Sequence, residues 1–197
     1  MVNQVYESEY SKKLSKTNDF LVNRNAIFKK AVKELGFKPS DKILEIGCDK
    51  GYFVNILRDK FDAIGIDLNK DAIAAGVCKN LFFMDITNNN LKDKSFNKIY
   101  SFHVVEHIQD LPKFFSEIDR ILASKGKVVL VYPFEPIRGI FALRTAIKNR
   151  ISPRKLHVHS LTPGKIKNYI KKTTLIHKKS SLLFLLIPQF LTVLEKQ

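Results

Sequence analysis

The sequence predicts an α/β fold: a doubly wound, mostly parallel sheet flanked by helices. Three observations carry that prediction. From Lys42 to Tyr132, short apolar runs alternate with amphipathic ones, the order of parallel strands joined by right-handed helical crossovers. The first apolar run ends in a turn with glycine at two positions, Gly47-Cys48-Asp49-Lys50-Gly51, and an amphipathic stretch follows. Such strand–turn–helix junctions are where doubly wound folds take nucleotide-like ligands. A carboxylate, Asp67, then closes the second apolar run.

The elements follow in order. Phe20, Leu21, Ala26, Ile27, Ala31, Val32 and Leu35 recur at helical spacing before Gly36 and Pro39, so the first ~40 residues read as helical and amphipathic. Strand Lys42–Ile46, helix Tyr52–Asp59, strand Ala63–Asp67, helix Lys70–Cys78 and strand Leu81–Met84 come next. A polar loop from Thr87 to Ser95 leads to strand Lys98–Phe102, helix Leu111–Leu122 and strand Val128–Tyr132. Beyond Pro133, Ile137–Ile151 reads as an amphipathic helix with Arg138, Arg144, Lys148 and Arg150 largely off its apolar side. Thr162-Pro163 is a helix start, a capping hydroxyl before proline at the first helical position, and that helix runs to about Lys172. Thr174–Phe184 and Gln189–Glu195 are extended. The apolar stretch Ser180–Leu194 is too short to span a bilayer and is broken by Pro188. It reads as a buried hairpin, with an interfacial membrane contact as the alternative.

At 197 residues, 45% hydrophobic and 27% charged, the chain fits one ordinary soluble domain. Cys48 and Cys78 make no disulfide framework, which points to a reducing, cytoplasmic setting. The first residues lack the basic-then-apolar pattern of a signal peptide. Charge is unevenly placed. Twelve of the 34 Lys/Arg and none of the 19 acids fall between Pro136 and Leu194, so +12 of the net +15 sits there. A basic lobe on a near-neutral domain suits an anionic partner: nucleic acid, an anionic membrane surface or a phosphorylated substrate. Lysines spread over solvated faces are the plain alternative.

Lys42–Phe53 does not read G-x-G-x-x-G, the dinucleotide fingerprint. Its Glu45-x-Gly47-x-x-x-Gly51 pattern resembles the first motif of the class I S-adenosylmethionine-dependent methyltransferases, [D/E]-x-G-x-G-x-G, with Asp49 at the middle glycine. Phe96–Ile108 resembles that family's fourth-strand motif, with Asn97 for the usual Asp and Val105-Glu106-His107-Ile108 for [L/V]-E-H-[L/I]. The branch it looks most like is the small-molecule, ubiquinone-type (type 11) one. The resemblance implies a Rossmann-like seven-stranded sheet ending in an antiparallel hairpin, in a single domain over residues 1–197. Within it, 1–40 would be an N-terminal cap, 42–132 the cofactor core, 136–160 a basic acceptor-side insertion, and 162–197 the last helix and hairpin.

The implied cofactor is S-adenosyl-L-methionine. Glu45, Gly47, Cys48, Asp49 and Gly51 would meet its methionine end. A carboxylate at Asp67 offers two acceptor oxygens to the ribose hydroxyls, with Leu68 beside the adenine. Asp85 would take the adenine amine, Ile86 would lie against the ring, and Phe102 would close the fourth strand at the cofactor. His103 would face the transferable methyl, while Glu106 and His107 brace the loop. His103, Tyr132 and His159 are the candidate general bases. The implied acceptor is a small or lipid-linked, anionic molecule; oligomeric state is not legible.

Rival readings are weaker. His103-x-x-Glu106-His107 also fits H-x-x-E-H, but that zinc pattern needs both histidines on one helix face, and His103 is expected at a strand end. His157-x-His159 has no third ligand nearby, so no metal is expected; the resemblance implies a segment bordering the acceptor pocket, with plain surface histidines as the alternative. A nucleic-acid acceptor finds no Asp/Asn-Pro-Pro-aromatic motif: Ser101-Phe102-His103-Val104 stands there. RNA methylation and a non-catalytic binding module, the latter supported by Asp49 and Asn97, remain as alternatives.

Overall fold

A computed structural model describes residues 18–134, 158–184 and 188–197. The expected helix Ile137–Ile151 lies outside them, as does His157. In chain order the elements are α1 (Asn18–Leu35), β1 (Lys42–Ile46), α2 (Tyr52–Leu57), β2 (Asp62–Asp67), α3 (Lys70–Ala74), β3 (Leu81–Phe83) and β4 (Phe96–Phe102). A 3-10 turn at Val105–His107 leads to α4 (Leu111–Ile121) and β5 (Leu122–Pro133). Last come α5 (Pro163–Tyr169), a 3-10 turn at Ile170–Lys172, β6 (Leu175–Phe184) and β7 (Pro188–Lys196). The seven strands form one sheet in the order β3-β2-β1-β4-β5-β7-β6. The first five are parallel, and β7 pairs antiparallel with both β5 and β6. This is the α/β architecture expected, hairpin included.

Both faces of the sheet are covered. Ile43, Tyr100, Phe102, Val129 and Val131 pack against Ile27 and Phe28 of α1 and Phe53, Val54 and Leu57 of α2. The Phe28 and Phe53 rings stack at 4.3 Å. Leu44, Ile46, Ile99 and Leu130 face Phe114, Phe115, Ile118 and Ile121 of α4 and Ile166 of α5. These four α4 side chains are fully buried, each stabilising the domain by about 1.5–3 kcal/mol relative to exposure. A central parallel strand buried on both faces reads as a continuous apolar run, which is why β1 was legible.

Three boundaries differ from expectation by more than two residues. The helix after β2 stops at Ala74 rather than Cys78, because the Val77 N–H is taken by the Lys50 carbonyl and turns the chain toward the glycine loop. β5 begins at Leu122, not Val128: Phe96 pairs with Leu122 and Lys98 with Lys127, so the intervening residues bulge, with Lys125 at φ 59°. α5 yields to a 3-10 turn from Ile170. No helix among the described residues is long and apolar enough to cross a membrane.

The sheet order reverses between β1 and β4. The chain runs outward through β2 and β3 on one side and through β5 on the other, and the crevice above the β1 and β4 carboxyl ends is where open sheets take ligands.

Candidate active site

Three residues of the β1–α2 turn are left-handed: Gly47 at φ 77°, Asp49 at φ 50° and Gly51 at φ 75°. Asp is one of the few side chains that visit this region, so Asp49 keeps the backbone a middle glycine would give. The Gly47 and Cys48 N–H groups donate to the Ile66 carbonyl at 2.8 and 3.1 Å, tying the turn to β2. A Cβ on Gly47 would lie 2.1 Å from Val104 Cγ2, so the β4 loop packs directly on this glycine. The Cys48 side chain is buried over Gly65, and burial pushes its thiol far above the ordinary range. Only its backbone is available to a ligand.

Asp67 ends β2 with both oxygens engaged. Oδ2 accepts the Asp49 N–H and Oδ1 the Asn69 N–H, each at 2.8 Å. An ionised carboxylate has about four acceptor positions, so each oxygen keeps one for a hydroxyl. Burial raises the Asp67 carboxyl above its usual range, partly offset by these two backbone bonds. Leu68 beside it is 48% exposed, an apolar surface at the crevice. Glu45 is buried under α1 and accepts from the Tyr100 hydroxyl at 3.1 Å. Burial pushes its carboxyl up to about 8, against the pull of Arg24 and Tyr100 and with the push of Asp67 and Asp49. Arg24 reaches over from α1, 4.0 Å from Asp49 Oδ2 and 5.3 Å from the Phe53 ring centre. Its role was invisible in sequence, because one arginine on an amphipathic helix does not announce which loop it meets.

Asp85 organises its own turn: Oδ1 accepts from the Thr87 N–H at 2.8 Å and the Thr87 hydroxyl at 2.7 Å. The expectations for two neighbours of the crevice change. Ile86 is 3% exposed and belongs to the core on the α4 face, and Phe102 packs edge-on against Phe53 on the α1 face. Both support the crevice from behind.

On the far side, His103 follows β4 at φ 57°. Its Nε2 lies 2.8 Å from Gln189 Oε1 of β7, and its Nδ1 lies 3.5 Å from Glu106 Oε1. His107 sits on the 3-10 turn with Nε2 4.0 Å from the same carboxylate oxygen. His103 therefore stands off any helix, and the two histidines do not share a helical face. The Val158 and His159 N–H groups both donate to the Glu106 carbonyl at 3.1 Å, bringing His159 beside this turn. Tyr132 is placed elsewhere. It is fully buried, its hydroxyl 2.8 Å from Thr192 Oγ1, and burial pushes it up to about 12, so it does not reach the crevice as a base. Gln189 was not singled out in the sequence; the expected strand simply began with it.

The residues fit an adenosyl cofactor: open acceptor positions on Asp67, an exposed apolar Leu68 beside it, and a turn with three left-handed residues. Sheet order, turn and carboxylate together define the class I methyltransferase architecture. The chain belongs to the methyltransferase domain family, whose sequence profile matches residues 20–175. It is 34% identical over 112 residues to phosphoethanolamine N-methyltransferase 1 of Arabidopsis thaliana, covering 52% of this chain and 23% of that one. The chain thus spans about a quarter of the plant protein. In fold it is similar to a SAM-dependent methyltransferase of Archaeoglobus fulgidus (TM-score 0.70, 17% identity, 95% and 98% of the two chains). It is equally similar to geranyl diphosphate C-methyltransferase of Streptomyces coelicolor (TM-score 0.70, 13% identity, 99% and 86%).

Proposed function

We propose that this chain transfers a methyl group to a nucleophilic atom of a small-molecule or lipid-linked acceptor bearing phosphate or a like anion. The cofactor supplies the electrophilic methyl group; the chain supplies position and electrostatics. Asp67 would hold the ribose hydroxyls, Leu68 and Asp85 the adenine side, and the Gly47–Gly51 backbone the methionine end.

The observation that carries the acceptor class is charge. The stretch Pro136–Leu194, beyond the cofactor core, holds twelve Lys/Arg and no acid. Such a field raises the local concentration of anions. Two of the similar proteins are named for phosphorylated substrates, phosphoethanolamine and geranyl diphosphate.

Calorimetric titration with S-adenosylhomocysteine comes first. Asp67→Ala should weaken binding ~100-fold, the loss of two hydrogen bonds to a charged group. Absence of binding to folded wild type would sink the cofactor assignment. Turnover is then compared on phosphoethanolamine, a prenyl diphosphate, anionic vesicles containing phosphatidylethanolamine, and RNA. Methylation of RNA alone would overturn the small-molecule reading.

A further inference from the structure

β6 is the last strand of the sheet, so its outer side is a free edge. Native sheets guard such edges with lysines and keep large apolar side chains off them. Here both stand together. Phe184 is 73% exposed, Ile176 41% and Leu182 36%. Leu182 and Phe184 share one face of the strand, while Leu183 between them turns into the α1 face. The link to β7 is apolar in sequence throughout, Leu185-Leu186-Ile187. Around this strip lie Lys178 and Lys179 of β6, Lys167 of α5, and Lys171 and Lys172 of the turn after it, all exposed. Burial and then Lys167 hold the His177 imidazole below its usual range, which places Lys167 over β6. Glu195 meets Lys178 at 3.7 Å and Glu34 meets Lys179 at 2.7 Å; the other three lysines meet no acid among the described residues, so the edge keeps a net positive charge. The edge also has a direction. β5 and β6 both pair antiparallel with β7, so Phe184 ends β6 at the end of the sheet where the crevice opens. Gln189, the second residue of β7, lies there 2.8 Å from His103.

We propose that the β6 edge docks on an anionic lipid surface: Phe184 and Leu182 enter the acyl boundary, and the lysines sit among the headgroups. Apolar side chains flanked by lysines match a bilayer that is apolar within and negative at its surface. An edge strand carries unpaired backbone groups, which hydrocarbon would leave unsatisfied, so only the last residues of β6 enter and the insertion is shallow. Lysine stems lie along apolar surface while their charged heads stay in water. A second copy of the chain fits less well, because edge-to-edge pairing would set one row of lysines against another. RNA would meet the charge but leave Ile176 and Leu182 in water, since its bases stack on aromatic rings rather than aliphatic side chains. The surface stands apart from the transferase reading. What it adds is delivery: a protein docked through Phe184 holds the crevice mouth at headgroup level, where a lipid-linked acceptor carries its anionic group.

The test uses the full chain and cosedimentation with vesicles, with no cofactor added. Wild type should bind vesicles of equal phosphatidylcholine and phosphatidylglycerol, and not those of phosphatidylcholine alone. Phe184→Ser should weaken that binding about 10-fold or more, the scale of burying a phenyl ring, and Phe184→Leu should keep most of it. Lys167→Gln with Lys171→Gln should weaken it by up to about 25-fold, about fivefold per lysine. All three side chains are exposed, so the variants should melt with wild type. The chain has no tryptophan, which makes Phe184→Trp a single reporter. Its emission should shift to the blue on the mixed vesicles and be quenched by brominated lipid. Binding without that shift would mean attraction by charge alone and would overturn the insertion. Absence of binding to the mixed vesicles would overturn the proposal, whether the edge then self-associates in the ultracentrifuge or takes up RNA. None of these failures touches the cofactor site, which calorimetry with S-adenosylhomocysteine reports separately.

Discussion

The glycine turn after β1 and the His103 cluster after β4 touch each other through Gly47 and Val104, yet they are built on opposite plans. In the turn every left-handed residue is tied through its own N–H, Gly47 to the Ile66 carbonyl, Asp49 to the Asp67 carboxylate and Gly51 to the Cys48 carbonyl. Its carboxylate is satisfied before any ligand arrives. In the cluster the ring, the carboxylate and the amide come from residues up to 86 positions apart, and three buried polar atoms have no hydrogen-bond partner among the described residues. A preformed, self-satisfied turn suits a cofactor whose shape does not change from one reaction to the next. An unsatisfied cluster held by side chains suits the half of the site where protons and acceptors move.

The sharpest way to break that contrast is to change the side chain at one left-handed position in each region. Gly47→Ala combines a left-handed penalty with a Cβ 2.1 Å from Val104 Cγ2, and should cost roughly 3 kcal/mol or more by thermal or urea melting. Adding Val104→Ala should recover the packing part. On the other side, His103→Gly removes strain while losing one hydrogen bond, so stability should change by less than about 1 kcal/mol. Equal costs at both positions would mean that the two regions are equally rigid.

A second effect depends on pH. Glu45 is protonated in the folded state up to about pH 8, against 4.5 for an ordinary Glu, because burial disfavours its charge. Between those values the folded state holds a proton that the unfolded state has released. Wild type should therefore be most favoured by this group below about pH 4.5 and lose stability as pH rises toward 8, by at most about 1.4 kcal/mol per pH unit. In Glu45→Gln that contribution vanishes, so the variant gains on wild type as pH rises. Melting both proteins from pH 5 to 8 checks the sign, and a constant difference would show that Glu45 ionises normally beneath Arg24.

What could be read from sequence follows the same division. The fold class, the turn and Asp67 were legible because strand periodicity, glycine placement and the strand-end carboxylate are local patterns. The hairpin and the family's sheet order came through resemblance, since no local rule pairs β5 with β7. Tyr132 looked like a base because it ends a strand, but the alternation of β5 turns it into the core toward Thr192. Ile86 was displaced for a like reason: Asp85 binds its own turn and directs Ile86 inward. Gln189 and Arg24 were missed because their meaning lies in partners distant in the chain, His103 and Asp49.

The gentlest probe is Asp49→Gly, which restores the glycine that the family pattern has there. The residue sits at φ 50°, so glycine relieves a left-handed strain of about 1–2 kcal/mol. Against that stand the extra freedom of glycine in the unfolded chain, about 0.5–1 kcal/mol, and a 4.0 Å ion pair with Arg24 whose Asp side chain is one-third exposed. Net stability should move by less than about 1 kcal/mol. The contact that matters to Asp67 is made by the Asp49 backbone N–H, which glycine keeps. Homocysteine-derivative binding should therefore stay within about threefold of wild type, under 1 kcal/mol. A tenfold loss would show that the Asp49 carboxylate, with Arg24 behind it, takes part in holding the cofactor. The turn would then depend on side chains as the His103 cluster does, and the distinction between a backbone-built half and a side-chain-built half would fail at its simplest position.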